Sequence, residues 1–232
     1  MEAQFFASRA KAQEAVAAGL VRVDGHVARR ASERVGPAAL IEAEPPYPWV
    51  SRGGLKLAAA LDTFGIEPAG RVCLDIGAST GGFTDVLLSR GAARVHAVDV
   101  GHDQLHHRLK ADPRVDDLSG TDARRLAPGC FGPAPDLIVT DASFISLTLL
   151  LPAVLALAAP RADLLALVKP QFEVGKGQTR KGIVRDEGLH RTACDRVAAA
   201  VMACGWTVRG VVPSPVAGRD GNREFLLGAA RP

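Results

Sequence analysis

Uninterrupted apolar runs organise the middle of this chain. "DLIVTD" (136–141) and "DLLALVK" (163–169) have the composition of central parallel strands buried on both faces. "RVCLDIG" (71–77) reads as a first strand and "RVHAVDV" (94–100) as a second. Helices are predicted over 52–64, 81–90, 103–110, 144–158 and 186–204. Such strand–helix alternation indicates an α/β domain. The tail changes character, because "WTVRGVVPSP" (206–215) and "REFLLGAA" (223–230) are joined only by "VAGRDGN". That connector is too short for a crossover helix, so the last two strands are predicted to pair antiparallel. The longest apolar stretch, "FISLTLLLPAVLALAA" (144–159), is short for a membrane span and broken by Pro152. It reads as a buried helix beside the sheet.

The proline-rich segment "EAEPPYPWV" (42–50) divides the pattern in two, since its three prolines disfavour helix and stiffen the chain. Residues 1–44 then form a small module, 45–50 a linker and 51–232 the α/β domain. With 47% hydrophobic and 23% charged residues, the composition is that of a soluble globular protein. A formal charge of +3 admits a polyanionic partner without demanding one. Cys73, Cys130, Cys194 and Cys204 form no C-x-x-C pair and are predicted to be buried free thiols of a reducing cytosol. "MEAQFFASRAKAQ" lacks the basic start and apolar centre of a signal peptide, so the predicted location is cytoplasmic.

Candidate chemistry begins with "DIGASTGGFTD" (75–85), a glycine-rich turn directly after a strand. Gly77, Gly81 and Gly82 let backbone approach a ligand, and the helix that follows points N–H groups at it. Asp99 ends the next strand, where a carboxylate can accept hydrogen bonds from ribose hydroxyls. NAD and S-adenosylmethionine both fit these features. The spacing favours S-adenosylmethionine, because Ser79 stands at the second glycine position of the dinucleotide pattern. That cofactor has no pyrophosphate for the missing glycine to accommodate. A glycine turn with no ligand is the plainer alternative.

Four polar residues complete the picture. Asp141 and Lys169 close two central strands, at the end where open α/β sheets place their ligands. Lys56 lies in "SRGGLKLAAAL" on the first helix after the linker, and Glu224 in "GNREFLL" at the start of the last strand. Taken singly, Lys56 and Glu224 would be ordinary solvated charges.

"SRGGLKL", "DIGASTGGFTD", "TDASFISL", "VKPQFEVG" and "GNREFLL", in this order over nearly the whole chain, resemble the TlyA (hemolysin A-like) ribosomal RNA methyltransferases. These are relatives of the FtsJ-type ribose 2′-O-methyltransferases. The resemblance implies a Rossmann-like class I fold, with a mostly parallel seven-stranded sheet and an antiparallel last strand. It also implies a catalytic tetrad of Lys56, Asp141, Lys169 and Glu224. Cofactor contacts are expected from Asp75, Gly77, Ala78, Ser79, Gly81, Gly82, Phe83, Asp99, Asp122 and Asp141. The implied cofactor is S-adenosylmethionine, and the implied partner is ribosomal RNA or a ribosomal subunit, with no membrane and no metal. Cytidine is the nucleoside the family points to.

Chemistry supports the tetrad. The donor methyl group is already activated, so the enzyme must position a weakly acidic 2′-hydroxyl and remove its proton. A lysine made neutral by a cationic or desolvated site can do so. Lys169 is the candidate base, with Lys56 nearby to favour its neutral form and the developing alkoxide. Asp141 and Glu224 would orient the lysines. Methylation of an exocyclic amine is disfavoured, because "DASF" holds no prolines where amine methyltransferases carry an Asn/Asp-Pro-Pro-aromatic motif.

The N-terminal stretch 8–35 resembles an S4 RNA-binding module, with Ser8 as helix cap, a basic first turn, and an Asp-Gly hairpin in "LVRVDGHV". Six basic residues against three acids over 8–34 suit phosphate contact, and Ser8, Arg9, Lys11 and Arg52 are the RNA-contact candidates. The family's module normally opens on a further helix with an Arg-x-Asp pattern, so this one reads as shortened. "SGTDARR" (119–125) also departs from the family's Asn-x-Arg, leaving Asp122 to meet the adenine amino group. His102 and His106 have the spacing of a helical metal pair, but no third ligand is evident and solvent or RNA contact is the preferred reading. Two readings compete with the enzyme: a non-catalytic RNA-binding assembly factor, which an intact tetrad opposes, and a membrane-lytic protein.

Overall fold

Asp24 and Gly25 adopt φ values of 49° and 77°, the positive pair that a tight two-residue hairpin turn requires. They join β1 (Val21–Val23) to an antiparallel β2 (His26–Val27). The Asp24 carboxylate accepts a hydrogen bond from the Leu40 N–H at 2.9 Å, which delivers β3 (Ile41–Ala43) to the other edge of β1. Glu42 and Ala43, at the start of the proline-rich segment, are therefore strand. Helix α1 (Arg9–Ala17) closes the small core through Ala15, against Val21 and Ala28. The Tyr47 hydroxyl donates to Glu14 at 2.8 Å and ties the segment after β3 back to α1. The computed structural model describes residues 5, 6, 9–175, 177–218 and 220–232, and it divides into two compact units between Pro48 and Trp49.

In the larger unit the apolar runs form β4 (Val72–Ile76), β5 (Arg94–Asp99), β7 (Leu137–Thr140) and β8 (Ala162–Val168). With β6 (Val115–Ser119), β9 (Thr207–Pro213) and β10 (Phe225–Arg231) they make a seven-stranded sheet ordered β6-β5-β4-β7-β8-β10-β9. Five strands are parallel, and β10 runs antiparallel between β8 and β9. Helices α2 (Gly53–Phe64) and α3 (Gly82–Ser89) cover one face, packing Leu57, Leu61, Val86 and Leu87 on Cys73 and Val139. Helices α5 (Leu147–Leu155) and α7 (Glu187–Ala203) cover the other, packing Leu151, Val154 and Val197 on Leu74 and Ile138. Two covered faces explain why the central strands carry no polar alternation.

Several boundaries differ from the sequence reading. The helix predicted over 103–110 contracts to α4 (His107–Lys110), because Gly101–Leu105 is spent closing the glycine-rich turn after β4, with Asp103 at φ 52°. Strand β6 escaped detection because its polar "VDDLS" lies on a sheet edge, where Asp116 serves Arg94 and His96 rather than a core. A short helix α6 (Pro170–Glu173) follows β8 directly. The predicted 144–158 helix begins only at Leu147, since Phe144 adopts φ 65° and Ser146 caps the first turn. Cys130 is exposed, contrary to the expectation of burial. Burial pushes the Cys73 thiol up to about 12 and Cys194 to about 11, as inert core thiols require. No described helix is long and apolar enough to cross a membrane.

Candidate active site

The turn after β4 is shaped by what packs against it. Gly77 has φ 81°, and a Cβ there would lie 3.1 Å from the backbone of Asp141 and Ala142. Gly82 faces Ser51, whose hydroxyl occupies the place a Cβ would take. These glycines thus let the segment after β7 and the segment before α2 close around the turn. Ser79, at φ 48°, donates its N–H to Asp99 Oδ2 at 2.8 Å, and the Gly101 N–H donates to Asp99 Oδ1 at 2.7 Å. Asp99 is therefore held rigidly between the turn and the end of β5, half-buried, with exposed Val100 beside it.

Asp75 is the most deeply buried of the acids among the described residues. It is fully buried, and that burial above all pushes its carboxyl up to about 7, with the Asp141 and Asp99 charges adding to the rise. Thr84 donates to Asp75 Oδ2 at 2.7 Å, while Oδ1 has no partner among the described residues. A buried acceptor without a donor under a glycine turn, followed by an anchored carboxylate at the end of the next strand, fits the amino end and the ribose of S-adenosylmethionine. Asp122 caps the short 3-10 turn Ala123–Arg125, and the Arg124 guanidinium holds its carboxyl down to about 2. Ala78 is buried at the turn, and Phe83 lies in the core beneath it, so its side chain is occupied with packing.

At the same rim the four polar residues come together as two ion pairs. Lys56, one turn into α2, places Nζ 2.5 Å from Glu224 Oε2. Lys169 places Nζ 2.6 Å from Asp141 Oδ1, outside hydrogen-bond angles, and donates to the Asp141 carbonyl at 3.2 Å and to Ser143 Oγ at 2.7 Å. Strand register explains the convergence. Phe225 pairs with Val168, so Glu224 and Lys169 end neighbouring strands side by side. The Asp141 N–H donates to Ile76 O at 3.0 Å, which sets Asp141 beside Gly77. Both lysines are less than a tenth exposed, a depth at which unpaired charge is costly. Each lysine has its own carboxylate. The charge on Lys56 is thus balanced locally by Glu224.

A family model of FtsJ-like methyltransferases matches residues 49–231, and one of the S4 domain matches residues 1–41. The 16S/23S rRNA (cytidine-2′-O)-methyltransferase TlyA of Mycobacterium tuberculosis is 48% identical over 95% of this chain and 83% of its own length. The chain belongs to the TlyA family of FtsJ-like methyltransferases. Hemolysin A of Brachyspira hyodysenteriae is 38% identical, covering 94% of this chain and 92% of its own length. A solved structure from Streptococcus thermophilus, described as a hemolysin, shares 39% identity with a TM-score of 0.81 over 97% of this chain and 84% of its own. The fold is that of a class I methyltransferase, and the cofactor is S-adenosylmethionine.

Some contributors to this TlyA-family site were not legible as such. Ser143 enters only through its contact with Lys169. Glu173, buried within "VKPQFEVG", accepts from the Leu147 N–H at 2.7 Å and from Ser146 Oγ at 2.5 Å, locking the loop after β7 to the helix after β8. Its place within that motif was the available signal. Among the RNA-contact candidates, Ser8 lies outside the described residues, Arg9 is exposed at the start of α1, and Arg52 is half-buried before α2. Lys11 Nζ lies 4.9 Å from the centre of the Tyr47 ring, so its charge already has an aromatic neighbour. His102 and His106 do not share a helix, because α4 starts at His107. His106 caps α4 and stacks on His107. No group of three metal-ligating side chains occurs among the described residues.

Proposed function

We propose that the protein methylates a ribose 2′-hydroxyl in ribosomal RNA, with cytidine as the nucleoside and the cytoplasm as its place of work. The observation that carries this reading is the pair of buried ion pairs, Lys56–Glu224 and Lys169–Asp141, at one strand rim. The names of the relatives supply ribosomal RNA and cytidine. When bound, S-adenosylmethionine supplies an activated methyl group. Asp99 would hold its ribose, Asp75 and the turn Gly77–Gly82 its amino-acid end, and Asp122 its adenine.

The protein's own part is then to handle one proton. Lys169 Nζ donates to the Asp141 carbonyl and to Ser143 Oγ and forms an ion pair with Asp141 Oδ1 outside hydrogen-bond angles, so two of its N–H groups are engaged. As a neutral amine it keeps two donors and turns its lone pair to the 2′-hydroxyl, whose proton it accepts. Lys56, held by Glu224, stabilises negative charge as it grows on that oxygen. Asp141 aims Lys169 and tethers it to the turn. Phe144, 92% exposed beside this rim, offers a face on which an unstacked nucleobase can rest. The basic helix α1 adds phosphate contacts that carry no sequence information.

The test is nucleoside mass spectrometry after the full chain and S-adenosylmethionine are incubated with unmodified ribosomal RNA or with ribosomal subunits. The expected product is 2′-O-methylcytidine. Base-methylated nucleosides alone, or no product from any of these substrates, overturns the proposal.

A further inference from the structure

Residues 180–185 form a small basic hairpin on the loop between α6 and α7. Arg180 and Ile183 form an antiparallel bridge, their backbones hydrogen-bonded at 2.9 Å and 3.1 Å. Lys181 and Gly182 make the turn, with φ values of 52° and 77°. Lysine rarely adopts that left-handed conformation, and here it places an ammonium at the hairpin tip.

The hairpin is fastened to the catalytic strand by one buried side chain. Asn222 Oδ1 accepts from the Val184 N–H at 3.1 Å, and Asn222 Nδ2 donates to Gly182 O at 3.0 Å. The Asn222 carbonyl accepts from the Gly218 N–H at 2.8 Å. Asn222 is only 2% exposed and stands two residues before Glu224, the partner of Lys56. A Cβ on Gly218 would lie 2.5 Å from Glu224 Oε1, so both segments crowd the tetrad.

The 180–185 segment carries three cations, Arg180, Lys181 and Arg185. Elsewhere in the unit, arginines such as Arg71, Arg94, Arg114 and Arg124 close onto carboxylates. Arg180, Lys181 and Arg185 are exposed and form no ion pair among the described residues. Neighbouring acids are committed elsewhere: Asp186 caps α7, and Glu187 lies 3.6 Å from Arg223. Three exposed cations thus sit on a segment fastened two residues from Glu224, and a ribose bound at the tetrad carries a phosphate on either side.

We infer that the 180–185 hairpin is a phosphate-binding clamp for the RNA strand entering the active site, and that Asn222 is the positioning residue that sets it against Glu224. This rests on the ribose-methyltransferase reading above. The clamp contributes affinity and register, and the tetrad contributes chemistry.

The test compares full-length wild type with Arg180→Ala/Lys181→Ala/Arg185→Ala, using deproteinised ribosomal RNA as substrate. Because all three side chains are exposed, this variant should fold. The expected result is a KM for RNA raised about tenfold or more, with kcat at saturating RNA and affinity for S-adenosylmethionine unchanged. The dependence of log kcat/KM on log salt should flatten by roughly two units, since each lost phosphate contact removes about 0.7–0.9. Arg161→Ala removes an exposed cation at the opposite end of β8 and should change neither quantity. Asn222→Ala should raise KM and also lower kcat, because it frees the segment leading to Glu224. A triple variant with wild-type KM and salt slope, or one matched by Arg161→Ala, overturns the clamp. Absence of transfer by the wild type refutes the underlying reading instead.

Discussion

At the scale of single residues, Lys169 and Asp75 carry opposite electrostatic assignments. Lys169→Ala should lower kcat by about a hundredfold or more while affinity for S-adenosylmethionine stays within a few-fold, since the amine serves the hydroxyl. Lys169→Arg should fail nearly as badly, because guanidinium retains its proton and cannot act as a base. Turnover by the Arg variant at neutral pH would make Lys169 an electrostatic clamp. Asp75 is a carboxyl raised from 3.8 to about 7 in the fold by burial. The folded state therefore binds the extra proton, and Asp75 costs increasing stability as pH rises from about 4 to about 7. At roughly 1.4 kcal/mol per pH unit, the full cost above pH 7 is a few kcal/mol. Asp75→Asn can still accept from Thr84 and removes that cost. Without cofactor, the variant should melt above wild type at pH 8, with the gap closing towards pH 5, and it should bind S-adenosylmethionine more weakly. Parallel melting curves across that pH range would refute the assignment.

At the scale of elements, the contact between β10 and α2 decides where Lys56 stands. A Cβ on Gly228 in β10 would lie 2.6 Å from the ring of Phe64, the last residue of α2. Gly228→Ala should therefore cost about 1–3 kcal/mol by overpacking, read as a lower urea midpoint at unchanged slope. A loss under about 0.5 kcal/mol would mean that Phe64 turns aside without disturbing the helix. Elements of this kind were legible where burial is two-sided, as in β7 and β8, which are apolar apart from Thr140 at the end of one and Asp163 near the start of the other. Edge strand β6 was not, because its side chains answer to Arg94 and His96 across the sheet. The 103–110 helix was over-extended for a related reason. Gln104 accepts from Ser79 Oγ at 3.0 Å, and no local periodicity announces that partner.

At the scale of the whole molecule, the two compact units differ in what can stabilise them. The cofactor site lies wholly within Trp49–Pro232. S-adenosylmethionine at a hundred times its Kd should add about 2.7 kcal/mol to that unit alone. Scanning calorimetry should show the large transition moving up while any transition of the small unit stays in place. A common shift of both would show that the units unfold as one. Much of this architecture was determined by the sequence itself. Apolar runs selected the strands, Asp24–Gly25 and the turn at Gly77–Gly82 marked sharp reversals, and polar residues ending apolar strands marked the site, because those signals act over a few neighbouring residues. Only the tertiary structure decided which carboxylate balances which lysine, that Ser143 meets Lys169, and that Asn222 fastens the segment before Glu224. These pairings follow from strand order and register, with β10 inserted antiparallel between β8 and β9, and join residues as far apart as Lys56 and Glu224. Spacing along the chain carries no record of them.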